Sequence, residues 1–160
     1  MSVAFVREES AEAAQEVSLP PREISAHPNL VTQSGFCALE HALADSQQAL
    51  KAAQAIADAN DRRRALELAA RDVRYFAERV ASAVPQPEPR DTVVVAFGSQ
   101  VTVLRNDDRR QTFRIVGEDE ADPRRGSIAY VSPLAQRIIG KRIGEAVELD
   151  GREIEVVAIE

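Results

Sequence analysis

The chain holds 160 residues, 44% of them apolar, with 20 Lys or Arg against 26 Asp or Glu and a formal net charge of −6. That length suits one or two small domains, and the acidic balance excludes a sequence-general nucleic-acid binder, whose grip rests on neutralising phosphates. One Cys excludes an internal disulfide framework and suits a reducing cytoplasm, and no apolar run approaches the roughly 20 residues of a membrane span.

Residues 1–30 carry two Arg against five Glu and are rich in Ala, Ser and Pro. Such a segment buries little apolar surface, so it reads as a mobile acidic tail. Met1–Ala14 lacks the apolar core of a signal peptide. Pro20-Pro21 and His27-Pro28 favour extended pieces. His27 has no second ligand close in sequence and reads as an ordinary surface residue. Cys37, near a helix start, reads as a small packing residue.

Residues 31–84 read as a helical hairpin. Thr32 is a candidate N-cap. Apolar or small residues then recur at Phe36, Leu39, Leu43, Ser46, Leu50, Ala53 and Ala57, the 3-4 spacing of a coiled-coil seam. Asp58-Ala59-Asn60-Asp61 supplies turn chemistry. A second seam runs through Leu66, Ala69, Val73, Phe76, Val80 and Ala83. A stripe of this kind also fits a homodimeric coiled coil. The turn and the matched arms favour an intramolecular antiparallel pair in a monomer. Each arm of about 23–26 residues reaches roughly 35–39 Å. Pro85, Pro87 and Pro89 end the second helix and make residues 85–91 a stiff linker.

Residues 92–160 alternate with period two between turn signals. Val93–Phe97, Val101–Leu104, Thr112–Val116, Ile128–Val131, Ala146–Leu149 and Ile154–Ile159 read as strands. Asn106-Asp107-Asp108 marks one hairpin turn, and Asp150-Gly151 is the strongest such signal in the chain. Ser132–Ile139 reads as a short helix, with Ser132 as its cap, Pro133 in the first position and Gly140 at its end. The whole predicts an α+β protein, a helical hairpin followed by an antiparallel sheet packed on one short helix.

The residues also carry a resemblance. Phe97-Gly98-Ser99-Gln100-Val101-Thr102-Val103-Leu104, then Gln111 through Asp122, then Val131-Ser132-Pro133-Leu134-Ala135, Ile139-Gly140-Lys141 and the closing Ile154–Ile159 strand resemble the C-terminal domain of the GreA/GreB transcript-cleavage factors. Thr32-Gln33-Ser34-Gly35 followed by Leu39 resembles the start of that family's coiled coil. The likeness spans roughly residues 31–160 and leaves 1–30 outside.

The resemblance implies that the C-terminal module is FKBP-like and docks at the mouth of the secondary channel of bacterial RNA polymerase, with the coiled coil passing down the channel. Acidic tip residues then help the polymerase hold a second Mg²⁺ and a water, so that backtracked RNA is hydrolysed. Mg²⁺ takes carboxylate oxygens while keeping waters, and two metals stabilise the attacking and leaving oxygens. On this view the chain is no enzyme. It has no metal or cofactor of its own, lends charge to the polymerase's Mg²⁺ site, and meets nascent RNA and the DNA-bound transcription complex only indirectly.

The tip departs from the family pattern. The family carries an Asp and, three residues on, a Glu. Here Asp58 and Asp61 stand three apart, followed at once by Arg62-Arg63-Arg64. Three cations repel a metal and compete for the carboxylates. The Arg triplet reads instead as a contact for RNA, a nucleotide phosphate or an acidic channel wall; the plain alternative makes Asp58 and Asp61 a helix end and turn, with Asp61 capping the second helix, and the Arg triplet a solvated helix start. Both arms are also about one heptad short of typical members, roughly 10 Å of reach.

Glu118, Asp119, Glu120 and Asp122 lack the regular spacing of a calcium loop. The resemblance puts them, with Ser132 and Pro133, on the polymerase-docking module. Phe97, Phe113 and Tyr130 read as core rather than as the aromatic pocket of a prolyl isomerase. Three functions stand: a transcript-cleavage stimulator, a channel-occupying regulator or anti-cleavage factor without cleavage activity, and a coiled-coil protein with an unrelated partner.

Overall fold

Thr32 is extended, and its Oγ1 accepts a hydrogen bond from the Gly35 amide at 2.9 Å, which opens helix α1, Gln33–Gln54. It does so in a computed structural model that describes residues 19–160. The part of the expected tail before Leu19 lies outside the described residues. From Leu19 the chain runs without regular structure, bending at Ala26 and His27, to strand β1, Leu30–Val31.

Helix α2 spans Ala59–Ser82 and is capped by Asp58, whose side chain accepts from the Asn60 and Asp61 amides. The two helices form the intramolecular antiparallel pair that the seams imply. Leu39, Ser46 and Ala53, seven residues apart, are buried, and so is Ala69 across from them. Phe36, Leu43, Leu50, Leu66, Val73, Phe76 and Val80 are only half-buried, and Ala57 is exposed in the turn. A two-helix pair has one covered face, so few of the seam positions are sealed.

The base of the hairpin is closed by a strand pair that the sequence did not suggest. β1 pairs in parallel with β2, Val84–Pro85, through Val84 N–H to the Asn29 carbonyl and Gln86 N–H to the Val31 carbonyl, both 2.8 Å. The linker's first proline therefore sits in a strand, at an edge where its missing N–H costs nothing.

The second unit is a five-stranded sheet ordered β5-β4-β3-β7-β6. Its strands are β3 Gln100–Arg105, β4 Arg110–Val116, β5 Ser127–Ala129, β6 Ala146–Leu149 and β7 Arg152–Ile159. Helix α3, Pro133–Ile138, is capped by Ser132 and covers one face with Leu134, Ala135 and Ile138. These pack on Val101, Val103, Ile115, Ile128, Ile154, Val156 and Ile159. The β6–β7 turn has Asp150 at φ 52° and Gly151 at φ 72°, which matches a two-residue hairpin of the primed type.

Two expectations need correction. The sheet is mixed rather than antiparallel, because β4 and β5 pair in parallel. Between them the chain leaves for the hairpin base and returns through a 3₁₀ turn, Pro123–Arg125, so no tight hairpin forms. Val93–Phe97 is not a strand. Buried Val95 bonds instead to the turn after α3, donating to the Lys141 carbonyl and accepting from the Gly140 amide, each at 2.8 Å. Among the described residues no helix is long and apolar enough to cross a membrane.

Candidate functional site

The tip is built by helix-end chemistry. Asp58 Oδ1 accepts from the Asn60 and Asp61 amides, both at 2.9 Å, satisfying two donors that a helix start leaves free. Arg62 Nη1 reaches back to the Ile56 carbonyl at 2.8 Å and the Ala57 carbonyl at 3.4 Å, which staples the turn to the end of α1. Arg63 makes only a long contact, 3.5 Å, to Asn60 Oδ1. Asp61, Arg63 and Arg64 are exposed. Of the five tip residues singled out in the sequence, Asp58 and Arg62 thus have structural work, and three point outward.

The acid cluster lies elsewhere, at the joint between hairpin and sheet. Asp119 Oδ2 lies 2.5 Å from Arg79 Nε of α2, and Tyr75 one turn earlier donates its hydroxyl to Asp119 Oδ1. Glu120 Oε1 accepts from the Thr32 amide at 2.8 Å and the Gly117 amide at 3.2 Å, and Thr32 Oγ1 bonds to Oε2. Asp122 accepts from Arg124 N and starts the 3₁₀ turn. Glu118 Oε2 and Asn29 Oδ1 are buried with no partner among the described residues. Ser132 accepts from the Ala135 amide at 3.3 Å, and Pro133 sits at the first helical position.

Two glycines make the joint possible. A Cβ on Gly35 would fall 1.9 Å from Glu120 Cδ, and one on Gly117 would fall 2.4 Å from the Leu30 carbonyl oxygen. Both distances are far inside contact range, so glycine here admits the approach of the two units. Burial, then the hydrogen bond to Asp119 and its negative charge, raise the Tyr75 phenol above its usual range. Burial and then the Glu118 charge do the same to Tyr130, whose hydroxyl donates to the Pro28 carbonyl.

Sequence reasoning missed Arg79, Tyr75, Asn29 and Tyr130 as members of this joint. The available signal was Arg79, a charged residue between Phe76 and Val80 on the seam side of α2, buried to 2% exposure. The apolar period marks the seam but gives no partner for a charge beside it. Among the described residues no group of three or more His, Cys, Asp or Glu is placed to hold a metal ion.

Comparison with known proteins places these features. The family model for the C-terminal domain of the transcription elongation factors GreA and GreB matches residues 90–160. GreB of Neisseria meningitidis serogroup B is 43% identical over 96 residues, and the match spans 56% of this chain and 59% of that protein. GreA of Methylobacterium nodulans is 33% identical over 153 residues, spanning 81% of this chain and 94% of that protein. A crystal structure of GreA factor homolog 1 from Thermus thermophilus covers 84% of this chain and 99% of its own at 23% identity, with a TM-score of 0.39, too low an overlap to say anything about function.

Proposed function

Because this chain belongs to the GreA/GreB family of transcription elongation factors, we propose that it binds bacterial RNA polymerase at the secondary channel and regulates elongation by placing its hairpin tip inside. The sheet unit, with Ser132 and Pro133 at the start of α3, docks at the channel mouth. The helices of 22 and 24 residues give the hairpin a reach of about 33–36 Å.

The observation that carries the choice between stimulation and occupancy is the use of Asp58. Its Oδ1 is engaged by two backbone amides of α2. With Asp58 Oδ1 engaged, only its Oδ2 and the Asp61 carboxylate remain for the polymerase's Mg²⁺, a smaller donor set than two free carboxylates. Arg63 and Arg64 follow Asp61 closely in the chain and are exposed with it, and nearby cations oppose a divalent ion. The tip fits occupancy of an acidic channel, or contact with an RNA or nucleotide phosphate, better than metal delivery. Stimulated cleavage through Asp61 alone is the second reading, favoured by the exposure of that carboxylate.

A backtracked polymerase complex tests this. The chain alone should leave RNA cleavage at its basal rate, and it should lower the cleavage driven by an authentic GreA. Strong cleavage that Asp61→Asn abolishes would overturn occupancy in favour of the second reading.

A further inference from the structure

The sequence likeness begins near residue 31, yet residues 19–29 are laid along the hairpin. Arg22 Nη1 pairs with Asp72 Oδ1 at 3.1 Å, and its guanidinium lies 3.7 Å from the centroid of the Tyr75 ring and 4.9 Å from that of Phe76. Asp72, Tyr75 and Phe76 are spaced i, i+3, i+4, so they share one face of α2. Further on, Asn29 Nδ2 donates to the Arg79 carbonyl at 2.7 Å and lies 3.2 Å from Ser82 Oγ. Between these points the Pro28 carbonyl accepts from Tyr130 of the sheet unit. One short segment thus touches α2 twice and the sheet unit once.

We propose that residues 19–29 are a brace that fixes the angle of the hairpin on the sheet unit. The argument is one of leverage. Of the other ties across the joint, Arg79–Asp119 and Thr32–Glu120 sit at the base of the hairpin, and Tyr75–Asp119 lies seven residues from the end of α2, about 10 Å up. On a lever of about 35 Å, a base rotation of about 10° moves the tip by roughly 6 Å. Arg22 grips α2 at Asp72, ten residues before its end at Ser82, which is about 15 Å up the lever. A hold at that height resists rotation far better than one at the pivot. Pro20, Pro21 and Pro28 restrict the backbone of the segment and lower the entropy lost in laying it down. The Arg22 pair and the Pro28 contact are exposed and weak taken singly, so this part of the brace sets direction and contributes little to fold stability.

The inference concerns the free protein and is independent of polymerase binding. Nitroxide labels at Asn60→Cys on the tip and Glu148→Cys on β6, in a Cys37→Ser background, report the distance between the units by pulsed electron resonance. The full chain should give one narrow distance distribution. Deleting residues 1–28 should at least double its width while the helical circular dichroism is kept. Arg22→Ala, which leaves the chain length unchanged, should give an intermediate width. Equal widths in the full chain, the truncation and Arg22→Ala would overturn the brace.

Discussion

Arg79 Nε on α2 and Asp119 Oδ2 in the loop after β4 lie 2.5 Å apart, with side chains 3% and 14% exposed, and this pair joins the hairpin to the sheet unit. Taking a charge out of water is costly unless its partner stays with it. Arg79→Met should therefore destabilise the protein by about 3–5 kcal/mol, with the lower end favoured because Tyr75 still donates to Asp119. The double variant Arg79→Met with Asp119→Leu should recover most of that loss. Denaturant unfolding of the three proteins checks it, and equal losses in the single and double variants would refute the pairing.

Gly35 and Glu120 are coupled by space. Glu120→Ala removes the acceptor for the Thr32 and Gly117 amides and should cost about 1–3 kcal/mol. Gly35→Ala pushes Glu120 off the same donors. The double variant should thus lose little more than Glu120→Ala alone, a coupling on the order of 1 kcal/mol. Strict additivity in urea unfolding would show that the two do not share one contact.

These two predictions rest on a joint that the sequence did not disclose. The acid cluster was visible as residues, but its use was not. Arg79 and Thr32 lie 40 and 88 positions from their partners, and no local period links them. Outward docking was the natural reading for a run of carboxylates. The hairpin and the β6–β7 turn were legible because their causes are local: a 3-4 apolar repeat in one case, and Asp-Gly at positive φ in the other. Val93–Phe97 was misread as a strand because its run of valines closed by Phe97 has strand-like composition, while the hydrogen bonds of buried Val95 go to the turn after α3. At the tip, the sequence reading gave the cap to Asp61, whereas Asp58 caps the helix and Asp61 lies inside its first turn.

The seam prediction is sharpened by burial. Leu39 is 3% exposed and Leu43 is half-buried. Leu39→Ala should cost about 2–5 kcal/mol, and Leu43→Ala clearly less. Thermal melts followed at a helical wavelength read the difference, and an equal or larger loss at Leu43 would contradict the packing.

Alkali should loosen the joint. The folded state holds the Tyr75 proton more tightly than the unfolded chain does, through burial and then Asp119. Stability from this source is complete below the unfolded phenol's pKa of about 10, and it is lost as pH rises through the raised folded value. Tyr75→Phe should remove part of this loss, leaving the share due to Tyr130, which shifts the same way. Urea midpoints at about pH 8 and pH 11 compare the two proteins. An unchanged alkaline slope in Tyr75→Phe would contradict the assignment.

The tip separates structure from contact. Asp58→Ala removes a cap and should destabilise by about 0.5–2 kcal/mol. Arg63→Ala with Arg64→Ala should leave stability nearly unchanged and relieve the inhibition of GreA-driven cleavage. Inhibition that survives loss of both arginines would assign the effect to bulk alone.

Binding to RNA polymerase is the measurement on which the account turns. Full-length chain should bind core polymerase at micromolar concentration or below, and an authentic GreA should displace it from a shared site. No binding at that concentration, or binding that saturating GreA leaves untouched, would contradict secondary-channel occupancy.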